Sequence, residues 1–320
     1  MDFATKKDTE FEYAAEVGIP DVRDVALDAG SEISIRPMDL TDLDSIRELR
    51  SVVSWSADPG AFDLLRGMRD ARWAVAESAD GRLIGMVGAV PLGGVGILCH
   101  LAVHGGYRGF GLGAKLTTWA VAYLRSRGAH LIRLYATRQA EKIYRSAGFR
   151  PETPRTMYRL DETTPRQTAL GTGYRVEVLT AGDLAEVRGL DLWSSGADRS
   201  ALILATLELH AGRGLLARDS GGRIKGYLFR SFTPHDLRIG PFVAETPDVA
   251  RLLLNSVLEN VVTPVEATVT TPKDTAAHHL YREFGFVGLE GRMRMELGEV
   301  PAMYRTGGLE HYGTTPYLAT

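Results

Sequence analysis

Three stretches of this sequence occur twice, in the same order and at a nearly constant offset. Asp42-Leu-Asp-Ser-Ile-Arg-Glu-Leu49 recurs as Asp183-Leu-Ala-Glu-Val-Arg-Gly-Leu190, 141 residues later. Gly81-Arg-Leu-Ile-Gly85 recurs as Gly222-Arg-Ile-Lys-Gly226 at the same offset, and Ile143-Tyr-Arg-Ser-Ala-Gly-Phe149 as Leu280-Tyr-Arg-Glu-Phe-Gly-Phe286 at an offset of 137. A chain that repeats helix, turn and helix signals in this way folds as a duplicated unit. Its 320 residues are also enough for two domains. The repeat predicts an N-terminal extension over 1–30, a first domain over 31–163, a second over 172–298 and a tail over 299–320.

Within the first repeat the hydrophobic periodicity alternates between strand and helix. Strands are predicted at Ile33–Arg36, Trp73–Glu77, Leu83–Val90, Ile97–Val103, Leu131–Tyr135 and Met157–Leu160. Helices are predicted from Thr41, where Thr-Asp-Leu-Asp-Ser offers capping side chains, and at Ala61–Asp70, Ala114–Arg127 and Gln139–Ala147. The fold class is α/β in the broad, α+β sense: two tandem domains, each with a mixed, mostly antiparallel central sheet flanked by helices.

The stretch Leu101-Ala-Val-His-Gly-Gly-Tyr-Arg-Gly-Phe-Gly-Leu-Gly113 joins an apolar strand to a helix through a glycine-rich turn. Such a junction aims backbone N–H groups and the positive end of a helix dipole at one point, which is an anion site. Glycines at 109, 111 and 113 let the backbone approach a phosphate closely, and Arg108 adds a cation. A Walker loop is excluded because Gly-Lys-Ser/Thr is missing, and the acidic residue of a dinucleotide fingerprint is not evident.

The repeat isolates this feature. The offset falls from 141 to 137 across the turn, because the second copy runs Glu245-Thr-Pro-Asp-Val-Ala where the first has its glycines. The second copy has lost about three residues and every loop glycine. It has gained Glu245 and Asp248, which repel a pyrophosphate.

The pattern Leu-x-Val-x-x-x-x-Arg-Gly-x-Gly-x-Gly resembles the acyl-CoA loop of the GCN5-related N-acetyltransferases (GNAT), with Gly105 where the family often has proline. Ala140-Glu-Lys-Ile-Tyr-Arg-Ser-Ala-Gly-Phe149 is similar to a second element of that family. In the second half, over about 174–298, Ile239-Gly-Pro-Phe-Val-Ala244, Gly285-Phe286 and Arg292-Met293 resemble the C-terminal domain of YitH-type tandem acetyltransferases.

This resemblance implies direct transfer of an acyl group, most simply acetyl, from acetyl-CoA or another acyl-CoA to an amine of a small molecule. It places the pyrophosphate on the backbone of Arg108, Gly109, Phe110, Gly111, Leu112, Gly113 and Ala114. It places the acyl carbonyl and pantetheine along Leu101, Ala102 and Val103. Tyr144 takes the family's general-acid position, and a phenol suits protonation of a departing thiolate. Thr137 stands where many members carry an asparagine that touches the cofactor. For the base, His100 lies in the strand itself, with Glu77 a weaker candidate; His104 is read as facing solvent. Two other readings are a non-catalytic acyl-CoA sensor and an enzyme using longer acyl chains in secondary metabolism.

Composition narrows the remaining classes. A net charge of −3 gives no electrostatic case for nucleic acid or an anionic membrane. No leader peptide or membrane-length apolar run is evident, so a cytoplasmic protein, monomer or homodimer, is expected. The single cysteine, Cys99, sits in the apolar strand and reads as a small buried hydrophobe. No metal is expected, because His278-His279 has no companion ligands at metal spacing. Trp55, Trp73 and Trp193 fit core or substrate-wall positions, and the aromatic tail is a candidate cover for a cleft.

Overall fold

The computed structural model describes residues 25–27, 31–53, 62, 65–160, 173–209, 213–232, 237–259, 261, 264–269, 275–299 and 310–313. Most of the extension, Trp55 and most of the tail therefore lie outside the described residues. Of the helix expected at 61–70, Phe62 and Leu65–Gly67 are helical. Contacts divide the chain into two compact units, one of residues 1–57 and 70–132, the other of 58–69 and 133–320.

The first unit is an antiparallel run of β1 (Val25–Leu27), β2 (Ser31–Pro37), β3 (Arg72–Ser78), β4 (Leu83–Leu92) and β5 (Val95–Val103). Helix α1 (Leu43–Val52) follows β2, and α2 (Leu112–Ser126) follows β5. Strand β6 (Leu131–Ala136) begins at the end of this unit. β4 is buried on both faces along nearly its whole length, as a continuous apolar run requires. Helix α2 buries Leu116, Trp119, Ala120, Tyr123 and Leu124, the stripe its periodicity predicts. Each of the two leucines contributes about 1.5–3 kcal/mol on burial. The Tyr123 hydroxyl donates to the Asp70 carbonyl at 2.7 Å.

Start signals before α1 are met twice over. The Asp39 carboxylate accepts from Thr41 N (2.9 Å), and Asp42 accepts from Asp39 N (2.7 Å), forming a reciprocal capping box. Asp42 also takes a two-pronged bond from Arg36 (2.7 and 2.8 Å), whose Nε reaches Glu77 on β3 at 2.8 Å.

The second unit contains α3 (Glu141–Ser146), β7 (Arg150–Leu160), β8 (Tyr174–Val178), α4 (Leu184–Ser195), α5 (Ser200–Leu209), β9 (Gly214–Asp219) and β10 (Ile224–Phe232). It continues through β11 (Leu237–Ala244), α6 (Pro247–Leu258), β12 (Val265–Val269), α7 (Ala276–Glu283), β13 (Val287–Gly298) and β14 (Glu310–Gly313). Its strands lie in the order β13-β7-β12-β11-β10-β9-β8, with β14 beside β11. All pairs are antiparallel except β11 with β12. Phe242, Leu253, Leu254, Leu280, Tyr281 and Phe286 belong to one buried cluster beneath α6 and α7.

The duplication is visible atom by atom. Thr180 and Asp183 repeat the capping box, and Gly222 (φ 81°) repeats the turn glycine Gly81 (φ 80°). Gly85 and Gly226 are also equivalent. A Cβ on the first would lie 3.3 Å from the Ala102 carbonyl, and on the second 2.9 Å from that of Val243.

Strand β7 belongs to the first repeat in sequence, yet it pairs with β12 on one side and β13 on the other. It starts at Arg150, seven residues before the predicted Met157. Pro151 and Pro154 hid that extension, because proline normally argues against a paired strand. Arg133 on β6 reinforces the same junction. Its Nε donates to Glu296 of β13 at 2.7 Å and its Nη1 to the Ser195 carbonyl at 2.6 Å.

Candidate functional site

The strand that leads to the glycine turn is interrupted near its end. Its register against β4 passes from Gly88 opposite Cys99 to Met86 opposite Ala102, so His100 and Leu101 together face Val87. His100 has φ 53°, the one positive value for a non-glycine among the described residues. Holding an L-residue there costs about 1–2 kcal/mol and persists only where the surroundings impose it. Such a bulge turns backbone groups out of the ladder, at the head of Leu101–Val103.

After β5 the chain makes one tight turn over Gly105–Tyr107. The His104 Nδ1 accepts from Gly106 N at 3.2 Å, and Arg108 Nε donates to the Val103 carbonyl at 3.0 Å, tying the loop to the strand end. Gly109 and Gly111 have φ of 88° and 80°, and no atom lies within 4 Å of where a Cβ would stand on either. Their conformation, rather than crowding, requires glycine. Helix α2 starts at Leu112, and its first intrahelical bond beside the turn runs from Lys115 N to the Gly111 carbonyl (3.1 Å). The amides of Leu112, Gly113 and Ala114 therefore precede the ladder, and Gly111 has no side chain with which to cap them. Arg108, Gly109, Phe110, Gly111 and Ala114 are exposed, with Phe110 at 56%.

The equivalent place in the second repeat is closed. Thr246 caps α6 by accepting from Val249 N at 3.3 Å, and Pro247 fills the first helical position. Asp248 lies in the first turn, where its carboxylate answers the helix dipole. Beyond Ile239, β11 is no longer paired with β12; Phe242, Val243 and Ala244 pair instead with Gly313, His311 and Glu310 of β14. A strand from the chain's own tail thus covers the segment that corresponds to Leu101–Val103.

Tyr144 and Thr137 belong to the second unit. Tyr144 is 5% exposed, with its ring 5.9 Å from Phe149 in an edge-on contact, and it interacts electrostatically with Arg292. Its repeat counterpart Tyr281 is fully buried, stacked on Tyr158 at 5.0 Å. The Thr137 hydroxyl accepts from Ala140 N at 3.3 Å, and its carbonyl accepts from Ala140 and Glu141 N, so this residue starts α3.

His100 is 1% exposed and lies 6.1 Å from the Trp73 ring, while Glu77 is engaged by Arg36. His104 is half-buried and part of the turn. Burial pushes the Cys99 thiol up to about 12, so this cysteine stays a neutral core side chain. Trp73 is buried and Trp193 is 58% exposed. His278 shares a 2.5 Å buried hydrogen bond with the Tyr158 hydroxyl. Among the described residues, no helix is long and apolar enough to cross a membrane.

Sequence reasoning missed the His100 bulge and β14. A bulge carries no signature in a run as apolar as Ile97–Val103, and a four-residue strand in a Gly- and Tyr-rich tail has no periodicity to detect.

Comparison with known proteins agrees with this architecture. The profile of the acetyltransferase (GNAT) family matches residues 42–149, and that of a further acetyltransferase (GNAT) domain matches residues 187–307. The chain is 24% identical over 232 residues to the uncharacterized N-acetyltransferase YitH of Bacillus subtilis, covering 72% of this chain and 79% of that one. A putative acetyltransferase from Pyrococcus horikoshii superposes with a TM-score of 0.75 at 18% identity, covering 93% and 98% of the two chains. A tandem GNAT protein from the clavulanic acid biosynthesis pathway superposes with a TM-score of 0.63 at 17% identity, covering 85% and 100%. With one family domain in each repeat, this chain belongs to the GNAT acetyltransferases, as a tandem member.

Proposed function

We infer that this acetyltransferase moves an acyl group from acyl-CoA, in the simplest case acetyl-CoA, to an amine of a small molecule, using one cofactor site in the first repeat. The observation that carries this reading is the contrast between the two helix N-termini. Helix α2 begins with three amides ahead of its ladder behind two left-handed glycines, whereas α6 is capped by Thr246 and its strand is covered by β14.

In this reading the amides from Arg108 to Ala114 hold the pyrophosphate. The backbone of Leu101, Ala102 and Val103, below the bulge, pairs with the pantetheine and acyl carbonyl as an added strand. The amine attacks the thioester carbonyl, the tetrahedral oxyanion collapses, and the C–S bond breaks. Tyr144 donates its phenolic proton to the departing thiolate. His100 is the proposed acceptor of the ammonium proton before attack, and Thr137 adds one hydrogen bond to the cofactor.

The test combines calorimetric titration with acetyl-CoA and a turnover assay on a panel of amines. Tyr144→Phe is expected to lower kcat by about 10²–10⁴, the usual range for loss of a general acid, with acetyl-CoA affinity within twofold of wild type. Absence of acetyl-CoA binding would sink the reading. Tight binding without turnover on any amine would make the protein a sensor, and preferential turnover of long-chain acyl-CoA would assign it to that chemistry.

A further inference from the structure

The exchanged strands β7 and β13 bring two repeat-equivalent arginines together. Arg155 and Arg292 lie 137 residues apart, the offset that also relates Tyr144 to Tyr281. Both line a cavity of about 710 Å³ within the second unit, together with Arg138, Arg282, His278 and Glu141. That volume is within the ~300–1,000 Å³ typical of small-molecule sites. Among the described residues, Glu141 in this lining also accepts from Arg145 outside it, at 3.3 Å.

The β7–β13 register explains why both arginines reach one place. Pairing slips between Glu290 and Met293, leaving Gly291 and Arg292 opposite Arg155. A Cβ on Gly291 would collide with the Arg155 carbonyl, so the glycine permits this close backbone approach. Arg155 is 6% exposed, and its guanidinium lies 4.3 Å from the centre of the Tyr135 ring, which fixes its plane. Burial lowers the Arg155 pKa to about 10, opposed by Tyr135 and reinforced by the charge of Arg292. Burial also lowers that of Arg292. Two neighbouring guanidiniums are therefore partly desolvated on one wall, where an anion gains more from them than it would in water.

We propose that this cavity is a binding site for an organic anion, whose carboxylate or phosphate is gripped by Arg155 and Arg292. Guanidinium forks match the planar or tetrahedral oxygens of both groups. All the lining residues belong to the second unit, so the site is separate in composition from the loop Arg108–Ala114 of the first. The cavity lies beside the helix of Tyr144, since Glu141, which lines it, precedes Tyr144 by one helical turn.

Acetyl-CoA, succinate, and inorganic phosphate added with acetyl-CoA already filling the loop Arg108–Ala114, each titrated calorimetrically into the full chain, test this. Phosphate or succinate is expected to bind, with at least tenfold loss in Arg292→Gln and in Arg155→Gln, and with acetyl-CoA affinity within twofold of wild type. Arg292→Lys keeps the charge and the fold but not the fork, and is expected to lose at least threefold; circular dichroism checks each variant. Thr118→Ala, on the exposed face of α2, is expected to retain the succinate affinity. The proposal is overturned if neither anion binds, or if binding survives both glutamine variants. It also fails if acetyl-CoA loses affinity in parallel and competes with phosphate, since the arginines would then hold the cofactor. Binding of the anions without acetyl-CoA binding would overturn the acyl-transfer reading and leave this one standing.

Discussion

Arg36 donates to Glu77 across neighbouring strands, and the second repeat has the same contact with its charges exchanged: Glu177 occupies the position of Arg36, and Arg218 that of Glu77. In both repeats the arginine also binds the capping-box aspartate, Asp42 or Asp183. Each repeat thus sets one guanidinium between a carboxylate on the neighbouring strand and the capping-box aspartate, whichever strand supplies it, and Arg218 adds Glu186 at 3.3 Å. Arg36→Glu alone gathers three carboxylates and is expected to cost about 2–4 kcal/mol. Adding Glu77→Arg is expected to recover all but about 1 kcal/mol, since residues in direct contact couple by up to ~3 kcal/mol. Urea unfolding of the two single variants and the double variant measures that recovery.

The same cluster sets an acid dependence. Burial pushes the Asp42 carboxyl up, but hydrogen bonds from Arg36 and the Asp39 amide outweigh it and hold the group below its ordinary 3.8. A lowered folded-state value means stability that is present above the unfolded pKa and lost as pH falls through the folded one. Asp42→Asn is therefore expected to be less stable than wild type at pH 6, with the two converging as pH falls through the lowered carboxyl value of the folded state. Urea midpoints across this range check the sign.

At Gly111 the expected losses of stability and of ligand separate. Gly111→Ala meets no atom, so its stability cost is the torsional ~1–2 kcal/mol of a left-handed alanine. A methyl over the first amides of α2 is expected to weaken acetyl-CoA by at least tenfold. Calorimetric affinity and thermal midpoint, measured on one preparation, distinguish a binding loss from unfolding.

Deleting residues 310–320 removes β14 and uncovers the edge of β11 at Phe242–Ala244. The thermal midpoint is expected to fall by several degrees, roughly what 1–2 kcal/mol produces in a chain of this size. Acetyl-CoA affinity is expected to stay within twofold, because the loop proposed to hold the cofactor belongs to the other repeat. Thermal melts and titration of the truncated chain decide this.

The duplication, the α2 stripe and the left-handed glycines were legible because each follows from local chemistry: periodicity, capping and the absence of a Cβ. What was not legible arises from pairing between distant segments. The long β7 was masked by its prolines, and β14 by the shortness of its pairing. Arg155 carried no signal, and Arg292 stood out only in the Arg292-Met293 motif, until register placed both on one cavity. The sequence singled out Tyr144 through its motif, while the contrast with Tyr281 came from what stacks on each ring.

Strand β7 has both its neighbours from the other repeat. Excising residues 172–298 would leave it with two bare edges, each a template for aggregation. A duplicated gene that interleaves its products in this way cannot easily return to a single copy. The half without the glycine loop is then retained as a partner in folding.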